Sequence, residues 1–228
     1  MRIEALHKTS LLDFPGKVSV IVFTQGCNFL CPYCHNAHLV LYQEEPLALA
    51  DILAFLERRK RLLEGIVITG GEPTLQEGLA AFCLLIKSLG YAVKLDTNGS
   101  RPQVLRRLLQ MDLLDYVAMD VKADPSDYPR SIAPSGTGDA ILQSMELLEH
   151  SSIPHEFRIP CAAPFITPDS LTAILDNIGQ DSPVFLQRLH LHNVLDPGFF
   201  PDKGQALADN EIEALLRQSG RPQVTVRE

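Results

Sequence analysis

No apolar run in these 228 residues approaches the ~20 needed to cross a bilayer, so no membrane partner is expected. The opening octet, Met1-Arg2-Ile3-Glu4-Ala5-Leu6-His7-Lys8, is mixed and charged and has no secretory apolar stretch. A cytoplasmic location is expected. Basic charge is scarce: the formal net charge is −8, which argues against nucleic acid as a partner. The one basic cluster, Arg58-Arg59-Lys60-Arg61, closes a helical pattern and reads as a solvated helix end. Cysteine is also sparse. Five is an odd count, and Cys83 and Cys161 lie far from the other three, so a disulfide framework is a poor reading. There is no repeat, low-complexity tract or dividing linker. A single domain over 1–228 is expected, with a lead-in over 1–17, a core over 18–190 and a C-terminal loop and helix over 191–228.

What recurs is an alternation. Short apolar runs, partly β-branched, lie at Val18–Thr24, Ile66–Thr69, Val93–Asp96, Tyr116–Met119, Glu156–Ile159 and Val184–Leu189. Helical patterns separate them at Leu47–Leu63, Thr74–Leu89, Val104–Leu109, Asp139–Glu149 and Ser170–Ile178, and Asn210–Gln218 closes the series. Strand then helix, six times, predicts an α/β fold with parallel strands. Six units are two short of a full barrel. A partial (β/α)6 TIM-type barrel and a doubly wound sheet both fit, and either gathers functional residues at the C-terminal strand ends.

The densest chemistry is Cys27-Asn-Phe-Leu-Cys31-Pro-Tyr-Cys34, a C-x3-C-x2-C run directly after the first strand. Three thiolates at this spacing suit three irons of a [4Fe–4S] cube and leave the fourth iron open. Zinc is the alternative, with His35 completing a Cys3His set. Polar groups follow the other runs at the same end: Gly70-Gly71-Glu72-Pro73, Asp96-Thr97-Asn98, Asp120 with Lys122, Arg158, and His190 with His192. Gly70-Gly71-Glu72-Pro73 lacks the lysine and spacing of a phosphate loop. It is either a tight βα turn or a place where backbone approaches a ligand. Asp120 and Lys122 read equally as a strand-end ion pair, Arg158 as a carboxylate's structural partner, and His190 as a packed ring. Cys83, inside an apolar helical run, reads as a buried small hydrophobe.

Taken together these motifs resemble the radical S-adenosylmethionine (SAM) superfamily: the triplet with Tyr33 before its last cysteine, then Gly-Gly-Glu-Pro after the next strand. Within it, Ser10-Leu11-Leu12-Asp13-Phe14-Pro15-Gly16-Lys17, Phe23-Thr24-Gln25-Gly26-Cys27-Asn28, Cys34-His35-Asn36, Asp96-Thr97-Asn98-Gly99 and Met119-Asp120-x-Lys122 resemble the glycyl-radical-enzyme activases. The pattern is most like those serving anaerobic ribonucleoside-triphosphate reductase. The likeness runs from about Ser10 to the His192 region.

The resemblance implies an oxygen-sensitive enzyme of anaerobic metabolism, an oxidoreductase built on a radical SAM core. It would cleave SAM reductively and place a radical on a glycine of a partner enzyme, first of all an anaerobic ribonucleotide reductase. Cys27, Cys31 and Cys34 would be the cluster ligands. Tyr33 would pack near the cluster or the adenine, and Gly70, Gly71, Glu72 and Pro73 would receive the methionyl ammonium. Asn98 would belong to the cofactor-binding set, and Arg158 would join it as a weaker member. Asp96, Thr97, Asp120, Lys122 and His192 resemble residues that handle the methionyl carboxylate, the ribose and, in some activases, a monovalent cation. No cysteine lies among the 35 residues between Cys34 and Gly70, so one cluster per chain is implied, with flavodoxin or ferredoxin as separate electron donor. A radical SAM enzyme of the 7-deazaguanine pathway and a non-catalytic Fe–S or zinc module are the competing readings. Asn193–Pro201, rich in Pro, Gly and Phe, reads as a loop. Phe199 and Phe200 either meet a partner there or fold back as a plug.

Overall fold

The computed structural model describes residues 1–41, 45–200 and 204–227, so Pro201 lies outside the described residues. Contacts group the chain into two units. The first comprises Met1–Asn28, His38–Thr97 and Gln103–Val117, and the second Phe29–Ala37, Asn98–Pro102 and Ala118–Glu228.

In the first unit, strand β1 (Ile3–Ser10) runs antiparallel to β2 (Ser19–Thr24), with Ile3 opposite Thr24 and Ser10 opposite Ser19. The Ser10 hydroxyl bonds the Asp13 carboxylate and shapes the turn between them. A one-turn helix α1 (Ala37–Val40) and helix α2 (Leu49–Arg59) lead to β3 (Gly65–Gly70), parallel to β2 with Thr24 beside Gly70. Helix α3 (Leu79–Ser88) crosses to β4 (Ala92–Thr97), parallel to β3. Helix α4 (Pro102–Gln110) then leads to β5 (Tyr116–Asp120), which both units share. Val20, Val22, Ile66, Ile68, Val93 and Leu95 are fully buried on one face. Phe14, Ile21 and Val67 form a cluster on the other, joined by Phe23, Ala92 and Tyr116. Burial on both faces is why these strands read as continuous apolar runs.

In the second unit, helix α5 (Thr137–Glu149) precedes β6 (His155–Pro160), and helix α6 (Pro168–Leu175) opens on a Thr167–Ser170 capping box. Strand β8 (Val184–Gln187) lies parallel to β6. Helix α7 (Asp209–Ser219) leads into β10 (Val224–Arg227), parallel to β8. A two-residue ladder pairs β7 (Ala162–Ala163) with β9 (Gln205–Ala206).

The expected α/β class and the mostly parallel sheet are present, with all six anticipated strands. Four of the described strands were not anticipated, the two-residue β7 and β9 among them. The lead-in is the antiparallel β1, and the last helix is followed by β10. Among the described residues, no helix is long and apolar enough to cross a membrane.

Candidate functional site

The β2–β3 register places Gln25-Gly26-Cys27 beside the Gly70–Pro73 turn. The Gly71 amide donates to the Thr24 carbonyl at 2.8 Å and the Glu72 amide to the Gly26 carbonyl at 2.7 Å. Gly70 has φ +111°, a region that disfavours side chains, and a Cβ there would lie 2.5 Å from Thr24 N. A Cβ on Gly71 would lie 2.0 Å from the Gly26 carbonyl oxygen. Both glycines are therefore already demanded by the chain entering the cysteine loop, whatever ligand the turn receives.

Glu72 is fully buried. Its Oε1 accepts from Thr74 N at 3.0 Å, Thr74 Oγ1 at 2.5 Å and Thr97 Oγ1 at 2.8 Å. Glu72 and Thr97 were two separate candidates for ligand contact. The structure bonds them to each other, fastening the turn to the end of β4. Pro73, also buried, begins a three-residue 3-10 turn, Pro73–Leu75. Asp96 pairs with the buried Lys94 at 2.8 Å. Replacing Glu72 with alanine strands buried donors, each worth about 1–3 kcal/mol. Chemical denaturation of Glu72→Ala is expected to show a loss of about 3 kcal/mol, and an unchanged midpoint would contradict the fastening role.

The second unit holds the rest of the cysteine loop. Leu30 N donates to the Ile132 carbonyl at 2.8 Å, and Phe29 packs on Tyr128 with ring centroids 5.7 Å apart. Leu195 N and Asp196 N donate to the Cys34 and Pro32 carbonyls at 2.9 and 3.1 Å. Tyr33 is buried against Phe165, 5.9 Å between centroids. Phe165 stacks on Phe199 at 5.5 Å and 18°, and Phe199 meets Phe200 edge-on at 5.3 Å. Phe199 and Phe200 thus fold back into an aromatic row that begins at Tyr33.

Cys31 is buried, and burial pushes its thiol up to about 11; the Lys122 ammonium pulls the other way, while Cys34 and Asp120 add to the rise. Burial works against the Lys122 charge too, but the Asp120 and Cys31 groups beside it hold it protonated well above the ordinary lysine range. Lys122 Nζ lies 2.9 Å from Asp120 Oδ2. From Asp120 a row of ion pairs continues: Arg158 at 3.5 Å, Glu156 at 3.5 Å from Arg158, and Arg227 on Glu156 at 2.9 and 3.4 Å. Asn98 Oδ1 accepts the Ser100 amide at 3.0 Å and turns the chain toward α4. His192 is exposed and stacks on exposed His190, 5.6 Å between centroids. The packed reading of His190 is thereby corrected.

None of the five cysteines, all among the described residues, is disulfide-bonded. Cys83 and Cys161 are buried, with thiols pushed by burial to about 12. They are poor candidates for metal or redox chemistry. Cys27 and Cys34 are half-buried. Among the described residues, no three His, Cys, Asp or Glu side chains converge as ligands of one metal ion would. A cube asks less, because each of its thiolates takes a different iron. Three soft donors within eight residues, one beside a buried ammonium, fit an iron–sulfur cluster.

Sequence reasoning missed Tyr128, whose hydroxyl accepts the Lys122 amide at 3.0 Å, the Phe165 packing, and the 195–196 segment that clasps the loop. Nothing in their spacing signals these contacts.

A family model described as the radical SAM superfamily matches residues 21–176. A Methanocaldococcus jannaschii protein named as a candidate glycyl-radical enzyme activating enzyme is 38% identical over 161 residues, 68% of this chain and 66% of that one. The 7-carboxy-7-deazaguanine synthase of Aquifex aeolicus is 34% identical over 85 residues, 37% of this chain and 38% of that one. The chain thus matches less than two thirds of the length of these relatives. Streptococcus suis SuiB bound to S-adenosylmethionine shares the fold with a TM-score of 0.63 at 12% identity, over 91% of this chain and 49% of that one.

Proposed function

This chain belongs to the radical SAM superfamily, an enzyme family that uses a [4Fe–4S] cluster and SAM, and from that premise we propose that it is a glycyl-radical-enzyme activase. The observation that carries the reading is the 161-residue similarity to the Methanocaldococcus protein, about twice the stretch shared with the deazaguanine synthase. That shorter match keeps a small heterocyclic substrate as the second reading.

Bound together, cluster and SAM supply a carbon-centred radical able to take a hydrogen atom from a substrate. The chain's own residues hold, orient and enclose. Cys27, Cys31 and Cys34 would bind three irons, with the Lys122 ammonium offsetting thiolate charge at Cys31. Backbone groups of Gly70 to Pro73 would receive the methionyl ammonium, while the Glu72 side chain keeps that turn in shape. Asp96, Asn98, Asp120, Lys122, Arg158 and His192 remain the candidates for the methionyl carboxylate, the ribose and a monovalent cation. Tyr33, backed by Phe165 and Phe199, would exclude water from the loop. The hydrogen donor would be a glycine Cα of a partner enzyme, with an anaerobic ribonucleotide reductase first in line. Flavodoxin or ferredoxin would provide the electron.

The anaerobically reconstituted, dithionite-reduced protein is expected to convert SAM to methionine and 5′-deoxyadenosine. Mixed with a glycyl-radical enzyme from the same genome, it should give that enzyme's EPR doublet. SAM cleavage with no doublet on any such enzyme, and turnover of a heterocycle instead, would favour the second reading. Phe199→Ser is expected to lower the melting temperature of the apoprotein by several degrees, as loss of about 1–3 kcal/mol of aromatic packing would. An unchanged melt would remove Phe199 from the row that encloses Tyr33.

A further inference from the structure

We propose that Gln25 is a positioning residue that locks the entry of the cysteine loop to the Gly70–Pro73 turn, setting Cys27 against the backbone that would meet SAM. Gln25 is fully buried at the end of β2, yet its side chain is polar on both sides. Its Nε2 donates to Glu4 Oε2 at 2.9 Å, and its Oε1 accepts from Arg2 Nε at 3.0 Å. Its backbone amide donates to the Arg2 carbonyl at 3.0 Å, and its carbonyl accepts from Gln76 Nε2 at 2.7 Å. Gln76 Oε1 in turn accepts the Arg2 amide at 2.8 Å. The clamp therefore closes on the segment just past Pro73.

It also closes on the loop's exit. Glu4 Oε1 lies 3.4 Å from His38 Nε2 in α1, and Gly26 N donates to the Leu39 carbonyl at 2.7 Å. Entry, exit and glycine turn are thus tied through the first residues of β1. Only an amide serves at position 25, since it must give a hydrogen to a carboxylate and take one from a guanidinium. Glutamate would repel Glu4, and a hydrocarbon would leave Glu4 and Arg2 without their shared partner. None of these residues is a cluster ligand, so the clamp governs where the cluster sits rather than whether it forms. The inference concerns cluster and SAM alone and stands whether the final substrate is a protein or a heterocycle.

The test compares Gln25→Ala, Gln25→Glu, Glu4→Gln and the reciprocal swap Gln25→Glu with Glu4→Gln, which restores one amide facing one carboxylate. Iron per chain after anaerobic reconstitution, the melting temperature of the apoprotein, and the SAM concentration giving half of the SAM-induced change in the reduced cluster's EPR signal are each measured. The three single variants are expected to keep their iron. Gln25→Ala and Gln25→Glu should need about tenfold more SAM, the loss of one buried hydrogen bond's worth of alignment, while Glu4→Gln, whose side-chain carbonyl can still accept from the Gln25 amide, should stay near the parent value. The swap should return to near the parent value. SAM binding unchanged in both Gln25 single variants would overturn the proposal. So would a swap as impaired as Gln25→Glu alone with the melting temperature lowered equally in both, which is the mark of mere packing.

Discussion

Cys31→Ala is expected to reduce the iron content of anaerobically reconstituted protein to background, while Cys83→Ala and Cys161→Ala keep it. The contrast follows from where the five thiols stand. Cys83 and Cys161 are buried, with thiols raised to about 12 by burial. The Lys87 ammonium near Cys83 and the Arg188 guanidinium near Cys161 pull the other way but leave both thiols protonated and inert. Cys31 is buried too, with its thiol raised to about 11 against the pull of the Lys122 ammonium, but it stands within eight residues of two further thiols, Cys27 and Cys34. Iron binding removes the remaining proton, because a metal's charge outweighs the desolvation that keeps the thiol neutral. Lys122 is itself held charged by Asp120, 2.9 Å away. Full iron in Cys31→Ala would sink the ligand assignment; iron lost from all three variants would mean that destabilisation, not ligation, was being read.

Gly71→Val should have the second largest effect, and not through SAM alone. The new Cβ would fall 2.0 Å from the Gly26 carbonyl oxygen. That contact is with backbone, which cannot swing aside as a side chain can. Gly26 adjoins Cys27, and its carbonyl accepts the Glu72 amide at 2.7 Å. Relieving the clash therefore drives the glycine turn and the cysteine loop apart. Overpacking of this kind costs about 1–3 kcal/mol or more. Cluster assembly and SAM cleavage are both expected to fall sharply, with a lowered melting temperature. A Gly71→Val protein with full iron, an unchanged melt and only weakened SAM binding would show that the glycine serves the ligand and not the loop.

The parallel strands were legible because each is apolar on both faces, which leaves a continuous run such as Ser19–Thr24 or Gly65–Gly70. Strand β1 was not. Its second half, His7-Lys8-Thr9, is polar and exposed, as befits a strand paired with β2 in the first unit, so its composition resembles a lead-in. Strand β10, four residues long, is too brief to show a period. In the site, the cysteines announce themselves by spacing alone. The glycine turn was visible, but its packing partner Gly26 lies 45 residues earlier and could be known only from the β2–β3 register. The Asp120–Lys122 pair and a carboxylate partner for Arg158 were legible, but the continuation of the row through Glu156 to Arg227 was hidden, since strand neighbours carry no mark in sequence. Gln25 stood inside a recognised motif, yet its reason for being an amide appears only once Arg2 and Glu4 are beside it.

The central claim is that the hydrogen taken by this enzyme comes from a glycine of another protein. Its most direct test is isotopic. A glycyl-radical enzyme from the same genome, such as the anaerobic ribonucleotide reductase, is produced with α-deuterated glycine and incubated anaerobically with the reduced, reconstituted protein and SAM. The account predicts 5′-deoxyadenosine carrying one deuterium, in step with the glycyl EPR doublet on the partner. Unlabelled 5′-deoxyadenosine with every glycyl-radical enzyme of that genome, alongside deuterium transfer from a labelled small heterocycle, would contradict it.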